Sequence, residues 1–186
     1  PPAKRAALLS RAARLIEQRS ADLLAALTAE VGAPGMASMT LNQLPATAAL
    51  DAYAALAETF PWSETRVGAF GTSRVTREPR GVVAAVTAWN VPLFLAVNKL
   101  APALLAGCTR VPKPAPLTPI SANIVAEIFA EAGVPEGVIS VLPATGSTPS
   151  PATSRIVVLV GASSGTLSQA EAASAARSEP SSAVRE

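Results

Sequence analysis

Two polar residues, each near the end of a predicted strand, have the types and spacing best suited to chemistry in this chain. Asn90 lies in the turn after the apolar run at residues 82–87, and Lys113 directly follows a second, short strand predicted at residues 109–112. A helix-length segment separates the two, so the pattern predicts a strand, a crossover helix and a parallel strand. Open parallel sheets bind ligands at the carboxyl ends of their strands. We therefore expect a neutral amide and an ammonium group at one edge of one sheet.

The other elements follow from hydrophobic periodicity and from turn residues. Helices are predicted over residues 3–19, 20–31, 40–59, 93–106 and 118–131, with Ser20 and Thr118 as N-caps, Pro119 at a first helical position and Gly32, Gly107 and Gly133 as stops. Strands are predicted over residues 73–78, 82–87, 109–112, 138–142 and 155–161, with a loop over 61–71. The apolar run 82–87 is typical of a strand covered on both faces. The order predicts a parallel, three-layer α/β unit with the leading helices packed outside it.

Composition excludes several classes of function. The 186 residues contain no histidine, which excludes Ser-His-Asp and Cys-His catalysis within the chain and argues against a transition-metal site. The net charge is only +2 and no cluster of basic and aromatic residues occurs, so nucleic-acid binding has little support. A single cysteine allows no internal disulfide, and we expect a cytoplasmic protein.

The apolar stretch at residues 82–108 is interrupted by polar residues and prolines, so we predict a buried strand and helix there and no membrane partner. From Pro143 onward the sequence becomes rich in Ser, Ala, Thr and Pro. We therefore expect one unit over residues 1–142 and a divergent tail over residues 143–186, the latter with one strand and a helix over 166–177.

Six motifs occur in an order and spacing that carry a resemblance. They are Glu78-Pro79-Arg80-Gly81-Val82, Thr87-Ala88-Trp89-Asn90-Val91-Pro92, Asn98-Lys99-Leu100-Ala101-Pro102-Ala103-Leu104, Ala106-Gly107-Cys108-Thr109, Lys113-Pro114-Ala115 with Thr118-Pro119, and Ala132-Gly133-Val134-Pro135-Glu136-Gly137-Val138. With the helical lead-in, residues 3–142 resemble the N-terminal part of the aldehyde dehydrogenase superfamily. The resemblance implies a Rossmann-like parallel sheet with flanking helices, truncated in this chain, and a partial NAD(P)-binding domain. It also implies oxidation of an aldehyde to a carboxylic acid with NAD or NADP.

By this resemblance, Asn90 is the side-chain donor of an oxyanion hole. A neutral amide can donate to a developing oxyanion without titrating, and such a donor can be worth a factor of about 10²–10³ in rate. The alternative is that Asn90 only satisfies backbone groups of its own turn. The context of tryptophan before it and proline after it favours the catalytic interpretation.

Lys113 resembles the family lysine that binds the adenosine ribose, or a 2′-phosphate when NADP is bound. An ammonium offers three donors to such oxygens; the alternative is a surface lysine whose stem covers a loop. The other expected cofactor-binding residues line the same cleft: Val86, Thr87, Ala88, Trp89, Ala115 and Pro116. Many relatives have a glutamate at the position of Pro116, and a proline cannot hold ribose hydroxyls, so the choice between NAD and NADP stays open.

Cys108 is not expected to be the nucleophile, because a cysteine between a helix and a buried strand is usually inert. The family's catalytic cysteine and glutamate lie beyond the matched region, so an isolated fragment is expected to be inactive. Arg110 and Pro112 stand where the family usually has aliphatic residues, which suggests damage to the strand that presents Lys113. Alternative interpretations are a non-catalytic dinucleotide-binding or scaffold module and a degenerate pseudogene product. The family is homo-oligomeric, and the state of this fragment is left open.

Overall fold

The structure of the protein, a computed structural model, describes residues 1–143 and 156–159. The helix predicted over residues 166–177 lies outside the described residues. The described helices are α1 (Pro2–Gln18), α2 (Ser20–Val31), α3 (Gly35–Ser38), α4 (Leu44–Thr59), α5 (Pro92–Ala106) and α6 (Pro119–Glu131), with a π-helical turn, Met39–Gln43, between α3 and α4. None of the described helices combines the length and the apolar character that crossing a bilayer requires.

Local sequence accounts for the ends of two helices. Gly32 and Gly107 follow α2 and α5 with φ of 67° and 88°, a left-handed conformation that favours glycine, as predicted. Of the two predicted N-caps, Ser20 is wrong, whereas Thr118 is confirmed in position. The Ser20 hydroxyl donates to Gln43 Oε1 at 2.7 Å, and α2 already includes Ser20. Thr118 does precede α6, but its side chain makes no capping hydrogen bond.

One apolar core joins the helices. Leu9 and Ile16 of α1, Leu50 of α4, Val97 of α5 and Phe129 of α6 are all fully buried in it. Helix α5 also contacts β3 (Val82–Val86) and β4 (Thr109–Lys113). The leading helices therefore pack on the outside of α5 and α6, as predicted, and hold these two helices against the sheet.

The remaining strands are β1 (Ser63–Gly68), β2 (Gly71–Thr76) and β5 (Ile156–Leu159). Strands β1 and β2 form an antiparallel hairpin. The loop predicted over residues 61–71 is therefore wrong, because its middle part is a strand, while the strand predicted next lies close to β2. The exposure of β1 explains the error: the strand is stabilised by backbone pairing with β2 rather than by burial of its side chains, so no apolar pattern marks it.

The second sheet has the strand order β4-β3-β5. Strands β3 and β4 are parallel, as predicted, whereas β5 runs antiparallel to β3. Burial alternates along β3: Val83 and Ala85 are buried, and the residues between them are only half-buried. The prediction of a strand covered on both faces holds fully for one face only: α5 packs on β3, and the residues of the other face are half-buried.

Residues 138–142, predicted as a strand, lie beside β4 with the expected parallel direction. Arg110 donates its backbone N–H to Val138 O at 2.8 Å, Ser140 N donates to Arg110 O at 3.0 Å, and Leu142 N donates to Pro112 O at 2.8 Å. Pro112 has no N–H, so it cannot supply the donor that would continue this ladder at Ser140 O. Only one isolated bridge, between Arg110 and Ile139, is consequently formed.

Candidate functional site

The register of β3 against β4 brings the two predicted segments together. Val86 and Lys113, the last residues of these strands, are paired across the parallel ladder. Thr87 extends the pairing by donating its backbone N–H to Lys113 O at 3.1 Å. The turn that leads to Asn90 and the loop that begins at Lys113 therefore leave the sheet side by side, at the edge where ligands of open sheets bind.

The turn after β3 becomes more exposed along its length. Thr87 is buried, Ala88 is half-buried, Trp89 is 52% exposed and Asn90 is exposed. Among the described residues no partner hydrogen-bonds to the Asn90 side chain, so its amide is not used to satisfy the turn. An exposed amide at this position can donate to a ligand oxygen, and Trp89 offers an apolar surface beside it.

The loop after β4 is stiff. Lys113 is half-buried, Ala115 is buried and Pro116 is exposed, and Thr118 N donates to Ala115 O at 3.0 Å to close a turn. Prolines alternate with the other residues along this segment, and each fixes one backbone angle. The Lys113 ammonium, with three donors, fits oxygen-rich ligands such as ribose hydroxyls or phosphate.

Two side chains that the sequence did not indicate hold the helices behind these segments. Asn42 is buried in the π-helical turn, and its Oδ1 accepts from Leu93 N at 3.2 Å, in the first turn of α5. Glu30 of α2 accepts hydrogen bonds from two backbone N–H groups in the first turn of α6. No local signal could have found either residue, since each bond joins groups more than 50 residues apart in the chain.

Three titratable groups lie in or against the helix–sheet layer. Lys99 of α5 is 5% exposed, and burial lowers the pKa of its ammonium. Burial also lowers the pKa of Arg110 to about 9, while the nearby Cys108 thiol opposes that change. Cys108 itself is 6% exposed, which agrees with an inert structural cysteine.

Two cavities offer alternative ligand sites, and neither is a better candidate than the strand ends. A cavity of about 10 Å³ lies between Thr87, Pro112 and the helices, which is room for about one water molecule. A groove of about 260 Å³ lies beside Phe60, Trp62 and Leu105. That groove is at the opposite end of the sheet, near the amino end of β3, and contains none of the predicted site residues.

Comparison with known proteins agrees with this architecture. The model of the aldehyde dehydrogenase family matches residues 1–157. A 3-succinoylsemialdehyde-pyridine dehydrogenase from Pseudomonas sp. is 39% identical over 142 residues, which are 75% of this chain and 28% of that protein. The chain thus spans less than a third of this relative.

Solved structures give the same result. An aldehyde dehydrogenase of Mycobacterium tuberculosis complexed with NAD⁺ is 51% identical with a TM-score of 0.75, over 77% of this chain and 30% of that one. PnpE from Pseudomonas sp. WBC-3, in complex with nicotinamide adenine dinucleotide, is 34% identical with a TM-score of 0.73, over 80% of this chain and 30% of that one. From its fold, its strand-end site and these matches, the chain belongs to the aldehyde dehydrogenase family.

Proposed function

We propose that this chain forms the adenosine-binding part of an NAD(P)-dependent aldehyde dehydrogenase. The pairing of Val86 with Lys113 carries the proposal, because it sets the two candidate segments next to each other. Lys113 binds the adenosine ribose through its ammonium, and Ala115 and Pro116 flank that ribose. Val86, Thr87, Ala88 and Trp89 line the cleft on the side of β3.

The residues fit a dinucleotide at this edge. Lys113 offers a positive charge and three hydrogen-bond donors. The internal cavity of about 10 Å³ is too small for a dinucleotide, so the cofactor would bind at the edge beyond the strand ends. The dinucleotide supplies the hydride acceptor of the reaction. Two relatives whose structures contain NAD support NAD, but the absence of a ribose-binding carboxylate at Pro116 leaves NADP equally open.

Asn90 is proposed as an oxyanion-hole donor for the aldehyde oxygen. Its exposure and its lack of a bond to its own turn favour this role over a purely structural one. Amide donors placed before the reaction stabilise developing negative charge because they need no reorganisation. The partner of such a donor is an aldehyde substrate, a small molecule whose identity depends on residues outside this chain.

These 186 residues alone are expected to show no turnover. Their single cysteine, Cys108, is buried between α5 and β4, so the chain presents no accessible thiol for attack on an aldehyde. The nucleophile has to be supplied by sequence that this chain does not contain. A cytoplasmic location and the absence of nucleic-acid and membrane partners stay predictions, and the oligomeric state of this chain stays open.

Isothermal titration with NAD and with NADP tests the cofactor role. The parent chain should bind at least one of them, and Lys113→Ala should weaken binding about tenfold, the loss of one charge-assisted contact. Lys4→Ala is the matched control, since Lys4 is exposed on α1 and far along the chain from the site. No binding by the parent, or equal binding by Lys113→Ala, would reject the proposal.

A non-catalytic dinucleotide-binding module is the second candidate, favoured by the burial of Cys108. A turnover assay separates the two once the chain is joined to a catalytic region of a relative. Aldehyde oxidation by that chimera, lost in Asn90→Ala, supports the enzyme; cofactor binding without oxidation supports the module. The absence of a cooperative unfolding transition would instead indicate a degenerate product.

A further inference from the structure

We propose that Glu30 is a positioning residue that fixes the cofactor loop from the helical layer behind it. The loop is residues 113–118, which connect β4 to α6. This inference rests on the proposed cofactor role of Lys113. It adds a distant residue to the site, one that lies on α2 and has no place in the motifs.

The contacts of Glu30 are those of a helix cap supplied from outside the helix. One carboxylate oxygen, Oε1, accepts from Ile120 N, and Oε2 accepts from Ser121 N at 3.1 Å. These are the second and third residues of α6, whose N–H groups have no partner within the helix. A carboxylate there also interacts favourably with the positive end of the helix dipole.

The residue that would ordinarily make this cap does not. Thr118 occupies the N-cap position, yet its hydroxyl is fully buried and has no hydrogen-bond partner among the described residues. The Ser121 hydroxyl is in the same state. Among the described residues, the side-chain cap of the first turn of α6 therefore comes from Glu30 of α2 and not from Thr118.

The cofactor loop links the first turn of α6 to the candidate site. At its start, Lys113 is fixed by pairing with β3; at its end, Glu30 fixes the first turn of α6. Between the two ends, Pro114 and Pro116 restrict the backbone, so the loop has little freedom to absorb a shift of α6. Releasing α6 should consequently displace Ala115 and Pro116, the residues proposed to flank the ribose.

Glu30→Ala and Glu30→Gln test the inference, with Glu58→Gln as the control. Gln keeps one oxygen acceptor and loses the charge, so it should partly rescue what Ala loses. Glu58 is exposed on α4 and makes none of these contacts. Two measurements are made on the full chain: amide hydrogen exchange and the Kd for NAD and NADP by titration.

In Glu30→Ala the amides of Ile120 and Ser121 should exchange about tenfold faster or more, since a hydrogen bond to a charged group is lost. The amide of Thr118 should also exchange faster, and the Kd for the cofactor should rise about tenfold. Glu30→Gln should fall between Ala and the parent, and Glu58→Gln should match the parent. Exchange at Ile16, in the fully buried part of α1, should be unchanged in every variant.

Several results would overturn the inference. Unchanged exchange at Ile120 and Ser121 would show that Glu30 does not hold α6. Faster exchange at Ile120 and Ser121 with an unchanged Kd would show that Glu30 caps α6 but does not position the cofactor loop. Faster exchange at Ile16 as well would show that the substitution destabilises the whole fold. If the parent binds no cofactor, the proposed function fails, while exchange at Thr118 still decides whether Glu30 orders the loop.

Discussion

Replacing Arg110 with methionine should stabilise the protein. Arg110 is 1% exposed, and its three guanidinium nitrogens have no hydrogen-bond partner among the described residues. A cation buried without a partner loses its hydration and gains nothing in return. Methionine has a similar unbranched stem and no charge, so it can fill the same space between the sheet and the helices.

The size of the effect follows from the pKa. Burial lowers the pKa of Arg110 well below its ordinary value, to about 9. At 1.36 kcal/mol for each pKa unit, this corresponds to a cost of about 5 kcal/mol for the charged form in the folded state. Because the environment can relax around a charge, we expect Arg110→Met to raise the free energy of unfolding by about 2–4 kcal/mol at neutral pH.

The pH dependence gives a second check. The folded-state pKa is lower than the unfolded one, so below about pH 9 both states carry the proton and the full penalty is present. As the pH rises above about 9, the folded state loses its proton before the unfolded state does, and the parent gains stability relative to the variant. The difference between the two proteins should shrink by about 2 kcal/mol between pH 7.5 and pH 10.5.

Urea unfolding followed by circular dichroism measures both effects. Arg11→Met is the matched control, because Arg11 is exposed on α1 and the two residues have similar helix propensities. This control should change the unfolding free energy by less than about 0.5 kcal/mol. A destabilised Arg110→Met variant, or a difference that does not change with pH, would show that the guanidinium has a partner and would refute the reasoning.

Three further substitutions test the packing around the site. Asn42→Ala leaves a buried N–H of α5 without its acceptor and should lower the unfolding free energy by about 1–3 kcal/mol, measured by urea unfolding. Gly107→Ala should cost about 1–2 kcal/mol in a thermal melt, since φ is 88° and a Cβ would lie 3.1 Å from Pro79 Cγ; an unchanged melt would contradict this. Pro112→Val restores a donor towards Ser140 O, so hydrogen exchange there should show one additional protected amide, at position 112.

The crossover at the centre of the site could be predicted because its signals are local. The two strands, the helix between them and the stop at Gly107 all lie within 32 consecutive residues, 82–113. Parallel pairing then follows from the crossover itself, and the structure adds the register that places Val86 opposite Lys113. This much of the candidate site needed no information from distant parts of the chain.

The features that could not be predicted depend on distant partners or lack burial. The hairpin residues of β1 are nearly all exposed, so no alternation of apolar side chains marks the strand. Thr118 is a residue type that favours the N-cap position, yet the N–H groups in the first turn of α6 donate to Glu30, which lies 88 residues before Thr118 in the chain. A residue with a local preference for the N-cap position makes the capping hydrogen bond only when no distant side chain offers the helix N–H groups a better acceptor.

The departures in β4 do not damage the part of the strand that presents Lys113. Arg110 and Pro112 point their side chains to the buried face, and their backbone groups bond to residues 138–142 rather than to β3. The donor that Pro112 lacks is therefore missing from the outer side of β4. Pairing of Lys113 with Val86 is intact, and Thr87 continues it by one further bond. Arg110 should thus lower the stability of the fold while the geometry of the cofactor edge is retained, so that Arg110→Met strengthens folding without changing the intrinsic affinity for the dinucleotide.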